Sequence, residues 1–241
     1  MGDGSHDAAL FAFNNDAEVR VAHIGRRAIP VTLIDNVLRE PQGVASLGFA
    51  QSYAADSSNL YPGLRAPMPG IFSTALRAWL TPILQRTGVL EDNRAIYRDV
   101  SFFSVVTTAS TDLLPIQRIP HYDSTDPNLF AAVIYLCGTS FSGTSFYRHR
   151  KTGYEEITEE NRHNYQIALD SDMRVHGAPQ KEYMNGDSVL FEAIFSTELK
   201  FNSAVIYPGR ILHAGNIKRQ FEPPKDKSDW RLTVTSLLQS A

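Results

Sequence analysis

A chain of 241 residues with one cysteine, Cys137, has no internal disulfide available to it. The reducing cytoplasm is the default compartment for such a sequence. Cys137 sits in an apolar run, where a thiol is more often a small core residue than a nucleophile. Long hydrophobic runs are also missing, so no membrane-spanning helix is expected. The first residues, Met1-Gly2-Asp3-Gly4-Ser5-His6, are polar and lack the apolar centre of a signal peptide. There is no dense Lys/Arg block, and 23 basic against 26 acidic residues give a net charge of −3. Nucleic acid is therefore not the expected partner. Repeats, low-complexity tracts and Ser/Gly linkers are absent too. A homodimer is expected only as the commonest assembly of soluble proteins.

What remains is ordinary globular composition, 43% hydrophobic and 20% charged. At this length one domain suffices. Residues 1–18 read as a loosely ordered, flexible arm. Residues 19–241 read as a single domain, with helical support at about 36–88 and an insert at about 148–188. Val19–Ile24 and Ala28–Ile34 are short apolar stretches split by Gly25-Arg26-Arg27, one or two strands with a turn. Asp35-Asn36 offers a helix cap, and Val37-Leu38 opens a segment to about Tyr53, restarting at Pro41. Pro and Gly make 62–70 irregular. Phe72, Leu76, Trp79, Leu80 and Ile83 recur at helical spacing and predict a helix over 71–86.

Beyond about residue 95 the pattern turns to strands. Val100–Thr108, Leu113–Pro120, Leu129–Cys137, Gly143–Tyr147, Val189–Phe195, Ser203–Tyr207 and Arg231–Leu238 are the candidates. Leu129–Cys137 is almost continuously apolar, as for a strand buried on both faces. Helices first and strands after predict a mainly β or α+β fold, with the helices packed on one side.

Three constellations carry chemistry. The first is Pro120-His121-Tyr122-Asp123. In extended chain His121 and Asp123 project to one side. With His213 they make two imidazoles and a carboxylate, a set that leaves open positions on Fe(II). The same set also suits a hydrolytic Zn(II), and a local His-Asp pair at a strand end needs no metal at all. The second is Arg231-Leu232-Thr233. Arg231 and Thr233 share a strand face and together can hold a carboxylate. The third is a pocket wall. Tyr135 alternates with Val133 and Cys137, and its hydroxyl is placed to reach the same anion. Arg65, Arg148 and His149 are the substrate-side candidates. Arg65 reads equally well as a loop brace, and His149 as a surface group.

In this order the motifs resemble the Fe(II)/2-oxoglutarate-dependent oxygenases, most closely the prolyl-4-hydroxylase-like branch and a small bacterial family related to it. Ala132–Leu136, Gly143–His149 and Phe201–Gly209 extend the resemblance, which spans roughly residues 30–238. It implies a double-stranded β-helix (jelly-roll) core with supporting N-terminal helices. It implies Fe(II) on His121, Asp123 and His213, and 2-oxoglutarate with its far carboxylate on Arg231 and Thr233, joined by Tyr135. It implies O2 as co-substrate and release of succinate and CO2. Halogenating relatives replace the carboxylate ligand with a small residue. Asp123 is retained here, so hydroxylation of a small amino-acid-like or natural-product molecule is expected. The alternatives are a zinc-dependent hydrolase using the same ligands and a jelly-roll binding protein without chemistry. The loops 54–70 and 148–188 are expected to cover the pocket.

Overall fold

The computed structural model describes residues 9–55, 60–138 and 141–241. Strands β1 (Glu18–Ile24) and β2 (Ile29–Asp35) form a hairpin. Helix α1 (Pro41–Phe49), strand β3 (Gly63–Pro67), helix α2 (Gly70–Arg86) and strand β4 (Ile96–Val106) follow. Next come β5 (Leu129–Tyr135), β6 (Thr144–His149), helix α3 (Arg162–His176), β7 (Phe191–Ser196), β8 (Ser203–Pro208), β9 (His213–Gly215) and β10 (Leu232–Ser240). The strands make two sheets, β1-β2-β8-β5-β10-β4-β3 and β7-β6-β9, antiparallel at each described pairing.

Strand alternation divides the larger sheet cleanly between two apolar layers. Phe130, Ala132 and Ile134 of β5 turn to the helices, as do Ala204 and Ile206 of β8 and Leu232, Val234 and Leu238 of β10. There they meet Val44 of α1 and Phe72, Leu76, Leu80 and Ile83 of α2. The alternate residues Ala131, Tyr135, Val205 and Tyr207 face the smaller sheet and pack with Phe146 and Phe195. Each buried Val, Leu, Ile or Phe among these contributes roughly 1.5–3 kcal/mol of apolar burial, so both layers hold the larger sheet in place. A third cluster, with Tyr147, Phe191 and Leu212, lies beneath Tyr165 and Leu169 of α3. No helix among the described residues is long and apolar enough to cross a membrane.

Several local expectations are corrected. The described part of the N-terminal arm is packed: Phe11 and Phe13 are buried, Phe13 stacks on Trp79 at 4.7 Å, and the Trp79 indole N–H donates to Asn14 O at 3.0 Å. Residues 1–8 lie outside the described residues. Leu113–Pro120 is not a strand. Ser110–Asp112 and Pro115–Arg118 are single 3-10 turns. Pro115 has no N–H to give a ladder, and the Gln117 side chain accepts the Leu114 N–H at 2.8 Å. The helix expected from Val37 begins only at Pro41 and stops at Phe49. Val37 and Leu38 are instead buried, non-helical chain.

Asn202 explains that departure. Its side-chain oxygen accepts the Leu38 N–H at 2.8 Å, and its amide donates to Leu38 O at 3.0 Å. Its own N–H donates to Tyr135 O at 2.9 Å. The residue sits at φ 62°, a conformation Asn tolerates far better than Ala. Asn202→Ala therefore strands two buried backbone groups and strains the backbone, a loss of about 2–4 kcal/mol. Urea denaturation should show that loss, and Asn202→Gly should recover the backbone share of it.

Candidate metal centre

His121 and His213 are joined as an isolated antiparallel bridge. The His121 N–H donates to His213 O at 2.9 Å, and the His213 N–H donates to His121 O at 2.8 Å. Directly opposed residues in such a pair project to the same side, and the two imidazoles lie 4.3 Å apart between ring centres. Two residues on, the Asp123 N–H donates to Gly209 O at 2.7 Å, while the Gly209 N–H donates to Leu129 O at 2.8 Å. A Cβ at Gly209 would push the end of the Leu129 side chain aside and sit tight against Leu129 O, at ordinary contact distance from Asp123. One ligand atom each from His121, Asp123 and His213 lies within 4.8 Å of the others. The His213 Nε2 to Asp123 Oδ2 distance is 3.7 Å.

The donor chemistry fits a divalent ion. The His213 Nδ1–H donates to Ile211 O at 2.9 Å. That bond fixes the tautomer and leaves the Nε2 lone pair facing the cluster. Tyr207 packs on the same ring at 4.7 Å. Burial pushes both histidines down to about 4, and for His121 the neighbouring His213 adds to the effect while Asp123 opposes it. Both imidazoles are thus neutral at pH 7 and able to ligate. Asp123 is raised by desolvation, against the pull of His121 and Arg65. His121 and Asp123 are solvent-exposed as whole residues, while the Asp123 side chain is 20% exposed and that of His213 is 5% exposed.

Deeper between the sheets lies a second feature. Arg231 directly precedes β10 and is 5% exposed. Its Nη2 donates to Gly143 O at 3.0 Å and to Ser142 O at 3.3 Å, and its guanidinium lies 5.6 Å from the Tyr135 ring centre. Its Nε is buried without a hydrogen-bond partner. Among the described residues no acidic side chain pairs with it. Thr233 and Tyr135 are directly opposed across β10 and β5, and Thr233 is opposed to Ser104 on β4. The Thr233 hydroxyl donates to Ser104 O at 3.3 Å, and the Tyr135 and Thr144 hydroxyls are 2.7 Å apart. Burial raises the Tyr135 and Tyr207 phenols and brings the Cys137 thiol up to about 11, with Arg231 opposing each shift. These groups are neutral, so they do not compensate the guanidinium.

The structure separates the three substrate-side candidates. Arg65, on β3, continues the inward-facing row, opposite Ser104. Arg148 turns away from the site. Its guanidinium binds Glu155 at 2.5 Å and Glu192 at 2.7 Å. Glu155 in turn accepts the Arg26 N–H at 3.0 Å in the β1–β2 turn, where Gly25 has φ 68°. Arg148 is therefore a strut between hairpin and small sheet. His149 is fully buried on the opposite face, 3.1 Å from Asp172, edge-on to Tyr165 and tilted against Phe191. Neither is free to meet a substrate. Sequence reasoning passed over Tyr207 and Gly209. Inward alternation with Val205 marks Tyr207, but nothing local announces that Gly209 will clamp Asp123.

A pH dependence follows for the metal-free protein. The two histidines bind a proton at about 6.5 when unfolded and at about 4 when folded. The unfolded state therefore takes up more protons below about 6.5, and stability falls from there toward about 4. Asp123 works in the opposite sense because its folded value is raised. Denaturation midpoints measured across this window should decline with falling pH. His213→Gln should flatten the decline and Asp123→Asn should steepen it.

No curated protein matches this chain. Among solved structures, a prolyl hydroxylase from Trichoplax adhaerens, in complex with a hypoxia inducible factor oxygen degradation domain peptide fragment, aligns at 9% identity and TM-score 0.48, covering 87% of this chain and 83% of that one. HygX from Streptomyces hygroscopicus, with nickel and 2-oxoglutarate bound, aligns at 11% identity and TM-score 0.46, over 87% and 82%. A Pseudomonas putida prolyl-4-hydroxylase aligns at 10% identity and TM-score 0.40, over 87% and 91%. The model of the family described as a family of unknown function, DUF6445, matches residues 15–238, and the chain belongs to that family.

Proposed function

We propose that this protein is an Fe(II)- and 2-oxoglutarate-dependent oxygenase that hydroxylates an unactivated C–H bond of a small amino-acid-like or natural-product substrate. One observation carries the reading. A two-histidine, one-carboxylate cluster and, among the described residues, a buried guanidinium without an acid both border the layer between the two sheets, where Tyr207 packs on His213 and Tyr135 lies against Arg231. Two neutral imidazoles and one carboxylate suit Fe(II) and leave positions open for other ligands. A buried cation without a counter-charge is costly. A dicarboxylate with one end at the cluster and the other at Arg231 removes that cost.

In this reading His121 and His213 supply neutral nitrogen ligands, and Asp123 supplies the negative one. The Ile211 carbonyl holds the His213 ring in its ligating orientation. Arg231 takes the far carboxylate of 2-oxoglutarate through its free Nε and a neighbouring nitrogen. The hydroxyls of Thr233 and Tyr135, which here meet Ser104 O and the Thr144 hydroxyl, would turn from those partners to the same carboxylate. Phe146 and Tyr207 pack against one another at 5.0 Å beside the cluster and keep water from that side. Iron with 2-oxoglutarate and O2 supplies the oxidant for the C–H bond and yields succinate and CO2. A hydrolytic zinc site would use the same three ligands but leaves Arg231 without a task.

Anaerobic Fe(II) with 2-oxoglutarate should give a weak visible band near ~500–530 nm, the mark of a keto acid chelating an open Fe(II) site. Asp123→Ala should abolish the band by losing metal. Arg231→Met should keep metal but raise the half-saturating 2-oxoglutarate concentration by about ten- to a hundredfold, the scale of one or two charge-assisted hydrogen bonds. Full iron loading with no band, or hydrolysis that persists without oxygen, would favour the zinc reading.

A further inference from the structure

Arg65 is a second guanidinium in this site without an acidic partner. It lies on the inner row that runs Arg65, Ser104, Thr233, Tyr135 across β3, β4, β10 and β5, each residue directly opposite the next. Its guanidinium rests on the Tyr61 ring at 4.5 Å and near the Phe102 ring at 5.4 Å. Those two faces hold the side chain flat and donate π density, but they do not neutralise it. Its Nε is buried with no hydrogen-bond partner. Among the described residues it forms no ion pair with a carboxylate. A loop-bracing arginine would spend its nitrogens on carbonyls, as Arg118 does with Leu113 and Pro179. Arg65 does not.

Position distinguishes it from Arg231. Arg231 lies against the Tyr135 ring of β5, whereas Arg65 lies against Tyr61 and against Phe102 of β4. Arg65 stands two strands from Thr233, roughly 10 Å at ~4.8 Å per strand. Arg65 is also half-buried rather than buried. One guanidinium is thus deep and the other is nearer the surface, on the edge strand β3.

We infer that Arg65 binds an anionic group, a carboxylate in the first instance, on the substrate itself. The inference rests on the function proposed above and narrows its substrate class to small carboxylic acids. Charge supports it. Two guanidiniums and a divalent ion against Asp123 alone leave the site with three positive charges. A dianionic co-substrate reduces this to one. A substrate carrying a single carboxylate brings the site to neutrality, and an uncharged or cationic substrate does not.

The test uses benzoate and its uncharged counterpart benzamide as probes on the full chain, loaded with Mn(II) and saturated with 2-oxoglutarate under nitrogen. The readout is paramagnetic broadening of the probe's ring protons, which reports closeness to the metal without turnover. Benzoate should be broadened and benzamide should not. Arg65→Met should weaken benzoate at least about tenfold, the scale of one charge-assisted hydrogen bond, and should change Mn(II) and 2-oxoglutarate affinities by much less than it changes benzoate's. Arg65→Lys, which keeps the charge, should retain part of the binding and guards against a folding defect. Equal broadening by benzamide, undiminished benzoate binding in Arg65→Met, or no benzoate binding by wild type would each overturn the inference. A loss of 2-oxoglutarate instead of benzoate would also overturn it, by making Arg65 the co-substrate's arginine. If wild type takes up neither Mn(II) nor 2-oxoglutarate, the proposed function fails. Calorimetric titration of benzoate into metal-free wild type and Arg65→Met then decides the anion site separately.

Discussion

Two reciprocal backbone hydrogen bonds between His121 and His213 set the geometry on which the rest of the site depends. A loop residue and a residue of the short strand β9 are locked face to face, ninety-two positions apart in sequence. Their rings can then point nowhere but into one space. The Gly209 carbonyl fixes Asp123 in the same way, through backbone rather than side chain. Side-chain ligands held by main-chain pairing lose little conformational freedom when a metal arrives. The larger sheet gives this arrangement its floor. Helices α1 and α2 cover its far face, so its near face is free to carry polar groups without costing the domain its core.

That near face departs from ordinary core chemistry. Arg231, Thr233, Ser104 and Tyr135 occupy positions where alternation alone would call for aliphatic side chains. A buried guanidinium with an unpartnered nitrogen costs several kcal/mol in desolvation unless paired. Carbonyls of residues 142 and 143 and the Tyr135 ring offset only part of that cost. Contrast Arg148, equally buried but held by Glu155 and Glu192. The same residue type is satisfied internally on one side of the small sheet and left open on the other. This contrast within one molecule, more than the presence of an arginine, points to an outside anion.

The sequence made the periodic parts legible. Helix α2 and strands β5, β8 and β10 lie close to their apolar patterns because burial and periodicity agree there. The same alternation put Arg231 and Thr233 on one face, and the His-x-Asp spacing put two ligand types on one side. Legibility failed where long-range partners decide. Val37-Leu38 looks like a helix start, but Asn202, far along the chain, captures its backbone. Leu113–Pro120 has strand-like composition, but Pro115 and the Gln117 side chain make a turn. Arg148 and His149 alternate correctly along β6, yet their partners Glu155, Glu192 and Asp172 lie in segments whose placement no local pattern reveals. Arg65 could be read either way from sequence, because a loop brace and a ligand-binding arginine differ only in what the nitrogens touch.

Depth orders the two guanidiniums, and depth constrains how the site can fill. Arg231 is buried between the sheets, while Arg65 is half-buried on the edge strand β3. On the proposed reading a molecule held at Arg65 covers the route to Arg231. The dicarboxylate must therefore enter first and the substrate second. Electrostatics works in the same direction. The inner site is least exposed to water and salt, so its attraction for a dianion is least screened. The outer site faces a smaller residual charge once the dianion is bound, and its hold on a monoanion is correspondingly weaker and more readily reversed. On that reading the pocket would secure its co-substrate before it commits a substrate to the metal.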